Sequence, residues 1–375
     1  MRICFLADAG SIHTQRWAEY FSNRGHEVHL VSFRSFGRND IRSLELHLLR
    51  RLHLPINLVY HTVQIRKLVK EIQPDILHAH YIFPYGFLGA LSGFHPFVVT
   101  PLGTDISWNP ERSKLAKLKV EFVFRRADIV HVSDQPAKDR VIELGCKENR
   151  IFVQPLFGPD TREFSPDKMS QELRERLGLG ESPVIISIRK LIPYYDVKTL
   201  ILAIPKVIKS TPEAKFIIGC DGEQANELRE LAEELNISKC TSFVGYIPHA
   251  ELAAYLASSD IFVDTYPNEY QKAGGGLGVG LMEAMSCGLA PIVSRRPFEF
   301  VIVDGVNGMH FQPRNAADLA EKIVFLLENE DKRQAFGTRN REIILRIGDW
   351  NENNEVFEKE VYLSFLSKPV SRAGR

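Results

Sequence analysis

Two places in this chain gather residue types that can hold a phosphate or a ribose. A basic pair, Arg189 and Lys190, stands directly behind the apolar run PVIISI, and a lone acid, Glu283, lies inside LMEAMSCG. Five glycines occupy the seven positions 274–280 ahead of that acid, a loop that includes Gly275, Gly276, Leu277 and Gly278. A guanidinium binds phosphate oxygens bidentately, so Arg189 with Lys190 forms an anion clamp at a ligand-binding edge and an ordinary solvated pair elsewhere. Glycine lets backbone approach a ligand closely, and a glycine loop at a helix N-terminus suits phosphate or ribose. Glu283 near the start of that helix can accept hydrogen bonds from a ribose diol, or serve as a favourable dipole contact. Polar segments behind other apolar runs add candidates: DAGSIHT with Gly10, Ser11 and His13, HAHYIFPYG with His78 and His80, and PLGTDIS with Thr104 and Asp105. His78 and His80 share one face of a strand, where histidine serves structure more often than catalysis.

The elements that must position these residues follow a repeating cadence. RICFLA, HEVHLVS, DILHAH, FVVT, DIVHVS and RIFVQP read as strands, separated by helical patterns at 11–25, 61–72, 85–93, 111–126 and 136–144. After a helix at 170–177 the cadence restarts with PVIISI, AKFIIG, TSFVG, DIFVD and APIVS, with helices at 196–209, 223–235, 249–258, 280–287 and 315–329 between and after them. Strands alternating with helices predict parallel, doubly wound sheets. The chain therefore divides into an α/β domain at 1–165, a second at 166–348, and a C-terminal helix at 349–375 that crosses back to the first. Ligands of such sheets bind outside the carboxyl ends of the strands, which places the expected site in a cleft between the two domains.

With 375 residues, 44% hydrophobic and 25% charged, the composition is that of a globular protein able to build two cores. Net charge is zero, so nothing points to nucleic acid as a partner. Residues 1–165 hold 22 Lys+Arg against 17 Asp+Glu and residues 166–375 hold 25 against 30, a mild asymmetry that favours anionic ligands for the first half. Five scattered cysteines, with no CxxC pair, argue against disulfides or a zinc framework and suit a reducing, cytoplasmic compartment. MRICFLADAG opens directly as a strand with no signal peptide before it, and the charge-free run from Tyr81 to Thr104 is broken by prolines and glycines that argue against a membrane span.

In order and spacing, LADAGSIHTQRWAEYFSNRGHEVHLVS, DILHAHY, PLGTDI, RADIVHVS, SIRKLIPYYDVKTLILA, FVGYIPHAELAAYLASSDIFVD, GGLGVGLMEAMSCGLAPIVS and DGVNGMHFQPRNAADLAEKI resemble the glycosyltransferases of family 4 over essentially the full length. The resemblance implies a GT-B fold of two Rossmann-like domains and a retaining transfer of a sugar from a nucleotide-diphosphate donor to an acceptor hydroxyl. It implies no cofactor and no bound metal, in keeping with the absence of a DxD triplet. Arg189 matches the family's phosphate arginine, with Lys190 beside it, and Glu283 matches the glutamate that holds the donor ribose. Gly245, Tyr246 and Ile247 match the segment where backbone meets the base. Gly10 and Ser11 match the first-domain loop near the diphosphate, and His80 the histidine that contacts the transferred sugar. His13, Thr104 and Asp105 fall on the acceptor side. The implied partners are a nucleotide sugar and a glycan or lipid-linked acceptor.

Two positions depart from the family pattern. A lysine expected shortly after the arginine is replaced near Tyr195, and the glutamate eight residues before Glu283 is Gly275. Glu269 or Lys272 is the expected substitute. These losses keep a second reading in view, a catalytically silent GT-B subunit that binds or regulates an active transferase, and a third, nucleotide-sugar epimerisation. Basic residues mixed with leucines at 41–70 (Arg42, Arg50, Arg51, Arg66, Lys67, Lys70) and 112–126 (Arg112, Lys114, Lys117, Lys119, Arg125, Arg126) read either as surface helices or as an interface for an anionic membrane. The latter places the protein peripherally on the inner face of the cytoplasmic membrane.

Overall fold

The computed structural model describes residues 1–35, 44–49, 57–107, 109–156, 158–266, 278–295 and 301–367. Two compact units emerge, one starting at Met1 and taking in the chain from Asn351 onward, the other starting at Gly158 and ending at Trp350. The second unit begins earlier than the charge and cadence suggested. Residues 158–165 belong to it because Arg341 donates to the carbonyls of Thr161 and Phe164, at 2.9 and 2.6 Å, and Asp349 accepts from the Thr161 N–H at 2.7 Å.

In the first unit, β1 (Arg2–Leu6), β2 (Glu27–Ser32), β3 (Leu44–Leu48), β4 (Ile76–His80), β5 (Phe97–Thr100), β6 (Ile129–Val132) and β7 (Ile151–Val153) form one parallel sheet in the order β3-β2-β1-β4-β5-β6-β7. The order reverses direction between β1 and β4, where Leu6 lies opposite Ala79. One face is packed by Ile65, Val69 and Ile72 of the helix Asn57–Ile72 together with Val120, Val123 and Phe124 of the helix Lys114–Arg126. On the other face Trp17 and Phe21, from the helix Ile12–Asn23, meet Phe357 and Tyr362 with ring centroids 5.2 Å apart in each pair. Glu358 fixes that C-terminal segment, accepting from Arg24 Nε at 2.7 Å and lying 2.8 Å from His26 Nε2.

The second unit repeats the plan with β8 (Val184–Ser187), β9 (Lys215–Gly219), β10 (Thr241–Gly245), β11 (Ile261–Asp264), β12 (Ala290–Ser294) and β13 (Met309–Phe311), ordered β10-β9-β8-β11-β12-β13 and parallel throughout. Here the order reverses between β8 and β11. Both sheets are doubly wound, as the cadence predicts.

Three elements depart from the sequence reading. The leucine-rich stretch around 44–48 is an edge strand and not part of a basic helix, because LELHL alternates with period two and pairs in parallel with Val28–Ser32. Residues 41–43 and 50–56 of that stretch lie outside the described residues. The strand β13 has only three residues, too few to show a period. A helix at Glu330–Ile347 buries only Phe336, Gly337, Asn340 and Ile344, a stripe too narrow to stand out in a charged sequence.

Candidate active site

In parallel α/β sheets a ligand settles at the carboxyl ends of the strands where the strand order reverses. In the second unit that point lies between β8 and β11, and Arg189 follows the one while Asp264 ends the other. Arg189 donates through Nε to Asp264 Oδ1 at 2.5 Å and through one Nη to Oδ2, a two-point pair. The rings of Tyr266 and Tyr195 lie 4.9 and 5.3 Å from its guanidinium carbon. Burial opposes charge on Arg189, but Asp264 beside it holds the group protonated, its pKa raised above the ordinary guanidinium value. Tyr195, near the position where a second cation is usual, therefore supplies an aromatic face to the first one. Lys190 is exposed.

Gly278 stands where it does for a steric reason. A Cβ there would lie 2.8 Å from Arg189 Nη2, so any other residue would push the guanidinium from its place at the start of the helix Val279–Ser286. That helix carries Glu283, which is buried. His249 Nε2 lies 3.5 Å from Glu283 and its Nδ1 3.5 Å from Glu163, ion-pair distances that raise the imidazole pKa to about 9 against the opposing effect of burial. Glu283 is thus held next to a cation. Behind it, the Ser286 hydroxyl donates to the Phe164 carbonyl at 2.6 Å and anchors the helix. Gly245 takes φ +71°, and its carbonyl accepts from Cys220 N–H at 2.6 Å. Tyr246 is exposed, and Ile247 packs on Gly219, where a Cβ would meet its Cδ1 at 2.8 Å. Gly275, Gly276, Leu277, Glu269 and Lys272 lie outside the described residues.

In the first unit the order reverses between β1 and β4, and Gly10, Ser11 and His80 follow or end those strands. Gly10 N–H donates to Asp8 Oδ1 at 3.0 Å, and Arg34 approaches Asp8 at 3.6 Å. Ser11 caps the helix Ile12–Asn23 without a side-chain hydrogen bond to it. His80 is buried, and its Nε2 has no hydrogen-bond partner among the described residues. Burial, reinforced by His13, lowers His80 to about 3, so the ring is neutral. His13 itself is lowered to about 4, by burial and then Arg16. His78, on the same face, is structural: its Nδ1 meets the Tyr362 hydroxyl at 2.5 Å and its Nε2 lies 2.7 Å from Thr100 Oγ1. Thr104 is exposed, with its hydroxyl 2.8 Å from that of Tyr81.

Asp105 departs from its expected acceptor-side role. Its carboxylate is fully buried and accepts from Ile82 and Leu102 N–H, both at 2.9 Å, and burial raises its pKa to about 6. It holds two loops together and offers no oxygen outward. Asp264, His249 and Tyr266 were not singled out by sequence. An acid that ends an otherwise apolar strand was the available signal for Asp264, but only the strand order brings it to Arg189.

Residues 2–134 match the family described as Glycosyl transferase 4-like, and residues 169–343 match Glycosyl transferases group 1. The chain belongs to the family 4 glycosyltransferases. This glycosyltransferase is 25% identical over 296 residues to the GDP-mannose-dependent alpha-(1-6)-phosphatidylinositol monomannoside mannosyltransferase of Mycolicibacterium smegmatis, covering 76% of each chain. It is 24% identical to the alpha-monoglucosyldiacylglycerol synthase of Acholeplasma laidlawii, over 80% of this chain and 75% of that one. Its fold is that of Anabaena HepE solved with UDP and glucose, at a TM-score of 0.78 and 20% identity over 96% and 99% of the two chains.

Proposed function

We propose that this glycosyltransferase moves a sugar from a nucleotide-diphosphate donor to a hydroxyl of a lipid-linked acceptor, with retention of anomeric configuration and without a metal ion on the donor diphosphate. The observation that carries the reading is the Arg189–Asp264 pair at the strand-order reversal of the second unit, against the glycine-capped helix that bears Glu283. Among the described residues Arg189 spends Nε and one Nη on Asp264, which leaves the other Nη for a phosphate oxygen. That cation, with the N–H groups of the helix start, stabilises charge on the departing diphosphate. Glu283 accepts from the ribose diol. The bond from the anomeric carbon to phosphate breaks, the acceptor oxygen bonds to that carbon on the same face, and its proton passes to the leaving phosphate.

The lipid acceptor is supported by two of the relatives, whose names specify phosphatidylinositol mannoside and glucosyldiacylglycerol products or substrates. Exposed Leu115 and Leu118, interleaved with Lys114 and Lys117 on one helix, suit the surface of an anionic membrane. No described helix is long and apolar enough to cross a membrane.

Thermal unfolding with UDP, GDP, ADP and dTDP tests the donor site. One nucleotide should raise the melting temperature, and Glu283→Gln should weaken its binding about 10–100-fold, equivalent to ~1.5–3 kcal/mol for a charged hydrogen bond. Incubation with the matching sugar donor and a glycolipid acceptor, in EDTA, should then give an anomerically retained product. If no nucleotide binds, the transferase reading fails in favour of a silent subunit. An inverted product, or a rate that EDTA lowers while the folded fraction stays unchanged, overturns the mechanism alone.

A further inference from the structure

At the edge of the first sheet, away from the strand-order reversal, four ligand-type side chains share one face of β2 and β3. The parallel register sets His29 opposite Glu45 and Val31 opposite His47, so alternate residues Glu27, His29, Glu45 and His47 project on the same side. His29 Nδ1 lies 3.1 Å from His47 Nε2 and 3.5 Å from Glu45 Oε2, while His47 Nε2 lies 3.7 Å from Glu45 Oε1. We propose that His29, His47 and Glu45 bind a divalent transition-metal ion, with zinc the best match.

The triangle has the right size. Ligand atoms about 2.0–2.1 Å from a tetrahedral zinc stand roughly 3.3 Å from one another; the two nitrogens at 3.1 Å and the nearest carboxylate oxygens at 3.5 and 3.7 Å, one facing each histidine, fall on either side of that value, and one atom from each of the three residues lies within 4.8 Å of the other two. The outer shell is also in place. His29 Nε2 lies 3.0 Å from Glu27 Oε1, so this nitrogen carries the proton and donates to the carboxylate, and Nδ1 presents its lone pair to the other two groups. Arg2 Nε holds Glu27 in turn at 2.8 Å. A carboxylate on the far nitrogen of a ligating histidine orients the ring and raises its basicity. With no ion present, His47 donates its Nε2 proton to His29. With the ion, His47 keeps its proton on Nδ1 instead, and the metal takes the place of the shared hydrogen.

Two imidazoles and one carboxylate select a borderline cation over magnesium or calcium, which prefer oxygen. His29 and His47 are mostly enclosed, with 7% and 17% of their side chains exposed, while Glu45 is 67% exposed and opens the fourth position to water. Among the described residues this is the one such group of histidine, cysteine and acidic side chains. Its structural consequence is local: β3 is a five-residue edge strand with little buried surface, and the ion would tie it to β2.

The test uses the tag-free chain, stripped with EDTA and titrated with zinc chloride, then separately with cobalt chloride. The expected result is one zinc per chain after dialysis, a melting temperature raised by several degrees, and the visible absorption of tetrahedral cobalt. His47→Gln and Glu45→Gln should each abolish all three, and Glu27→Gln should weaken affinity roughly 10–100-fold. Because Glu45 is exposed, Glu45→Gln keeps the fold and carries the test even where His47→Gln does not. No stoichiometric metal on the wild-type chain, or the same melting shift in both ligand variants, overturns the proposal.

Discussion

The two units bury polar side chains by opposite means. Around the carboxyl ends of the first sheet, His78, His80 and His131 are enclosed by Trp17, Phe357 and one another, with no carboxylate against them among the described residues, and all three are held neutral. At the equivalent place in the second unit, two partly enclosed cations each have an acid beside them: Arg189 has Asp264, and His249 has Glu283 and Glu163. Burial alone removes charge, and burial with a partner keeps it. The preserved cation is the group that the proposed transfer sets against the diphosphate.

The largest effect should come from cutting the ionic side of this contrast. Asp264→Ala leaves the Arg189 charge buried without its acid and should cost about 3–5 kcal/mol in urea unfolding. The double variant Arg189→Met/Asp264→Leu should recover most of that stability and still fail to bind nucleotide. Recovery of both, or of neither, would dissolve the distinction between holding the fold and holding the donor.

A smaller effect should separate the units by pH. His80 and His131 sit near 3 in the folded chain against about 6.5 unfolded, so the unfolded chain takes up protons first, and stability falls as pH drops below about 6.5. Asp105, raised to about 6, works the other way between roughly pH 4 and 6 but is one group against four lowered histidines, since His13 and His78 move with His80 and His131. The first unit should lose about 2 kcal/mol or more by pH 5, at ~1.4 kcal/mol per unit per group. His249, raised to about 9, contributes stability that is complete below about 6.5 and lost as pH rises through 9. Hydrogen exchange at pH 5, 7 and 9 should therefore show the first unit weakening toward acid and the surroundings of His249 weakening toward alkali. Parallel behaviour in both would contradict the contrast.

The smallest effect concerns Ser187, whose buried hydroxyl has no partner among the described residues. Ser187→Ala should be neutral or stabilise by up to about 1 kcal/mol, since it removes an unmet desolvation cost. A clear loss of stability would mean that the hydroxyl is in fact satisfied.

Much of the fold was legible because buried parallel strands appear as short apolar runs between helical stretches. What escaped was set by neighbours: LELHL is a strand only because β2 offers it an edge, and MHF only because β12 does. The site divides in the same way. Arg189, Glu283 and the glycine before the helix announce themselves through side-chain chemistry at a strand end or helix start. Asp264 looks like the last residue of any strand until β11 is placed beside β8. His78 and His80 are indistinguishable in HAH, and their roles separate only because Tyr362, from the far end of the chain, reaches one of them and not the other.

That long-range contact makes the first unit a discontinuous domain. A ribosome delivers its seven strands early, yet the side chains that close over Trp17, Phe21 and His78 come from residues 351–367. The second unit is assembled from the intervening chain and can complete itself during synthesis, while the first must wait with an apolar face uncovered. The half of the protein made first is therefore finished last. Residues 1–157 expressed alone would lack their own lid.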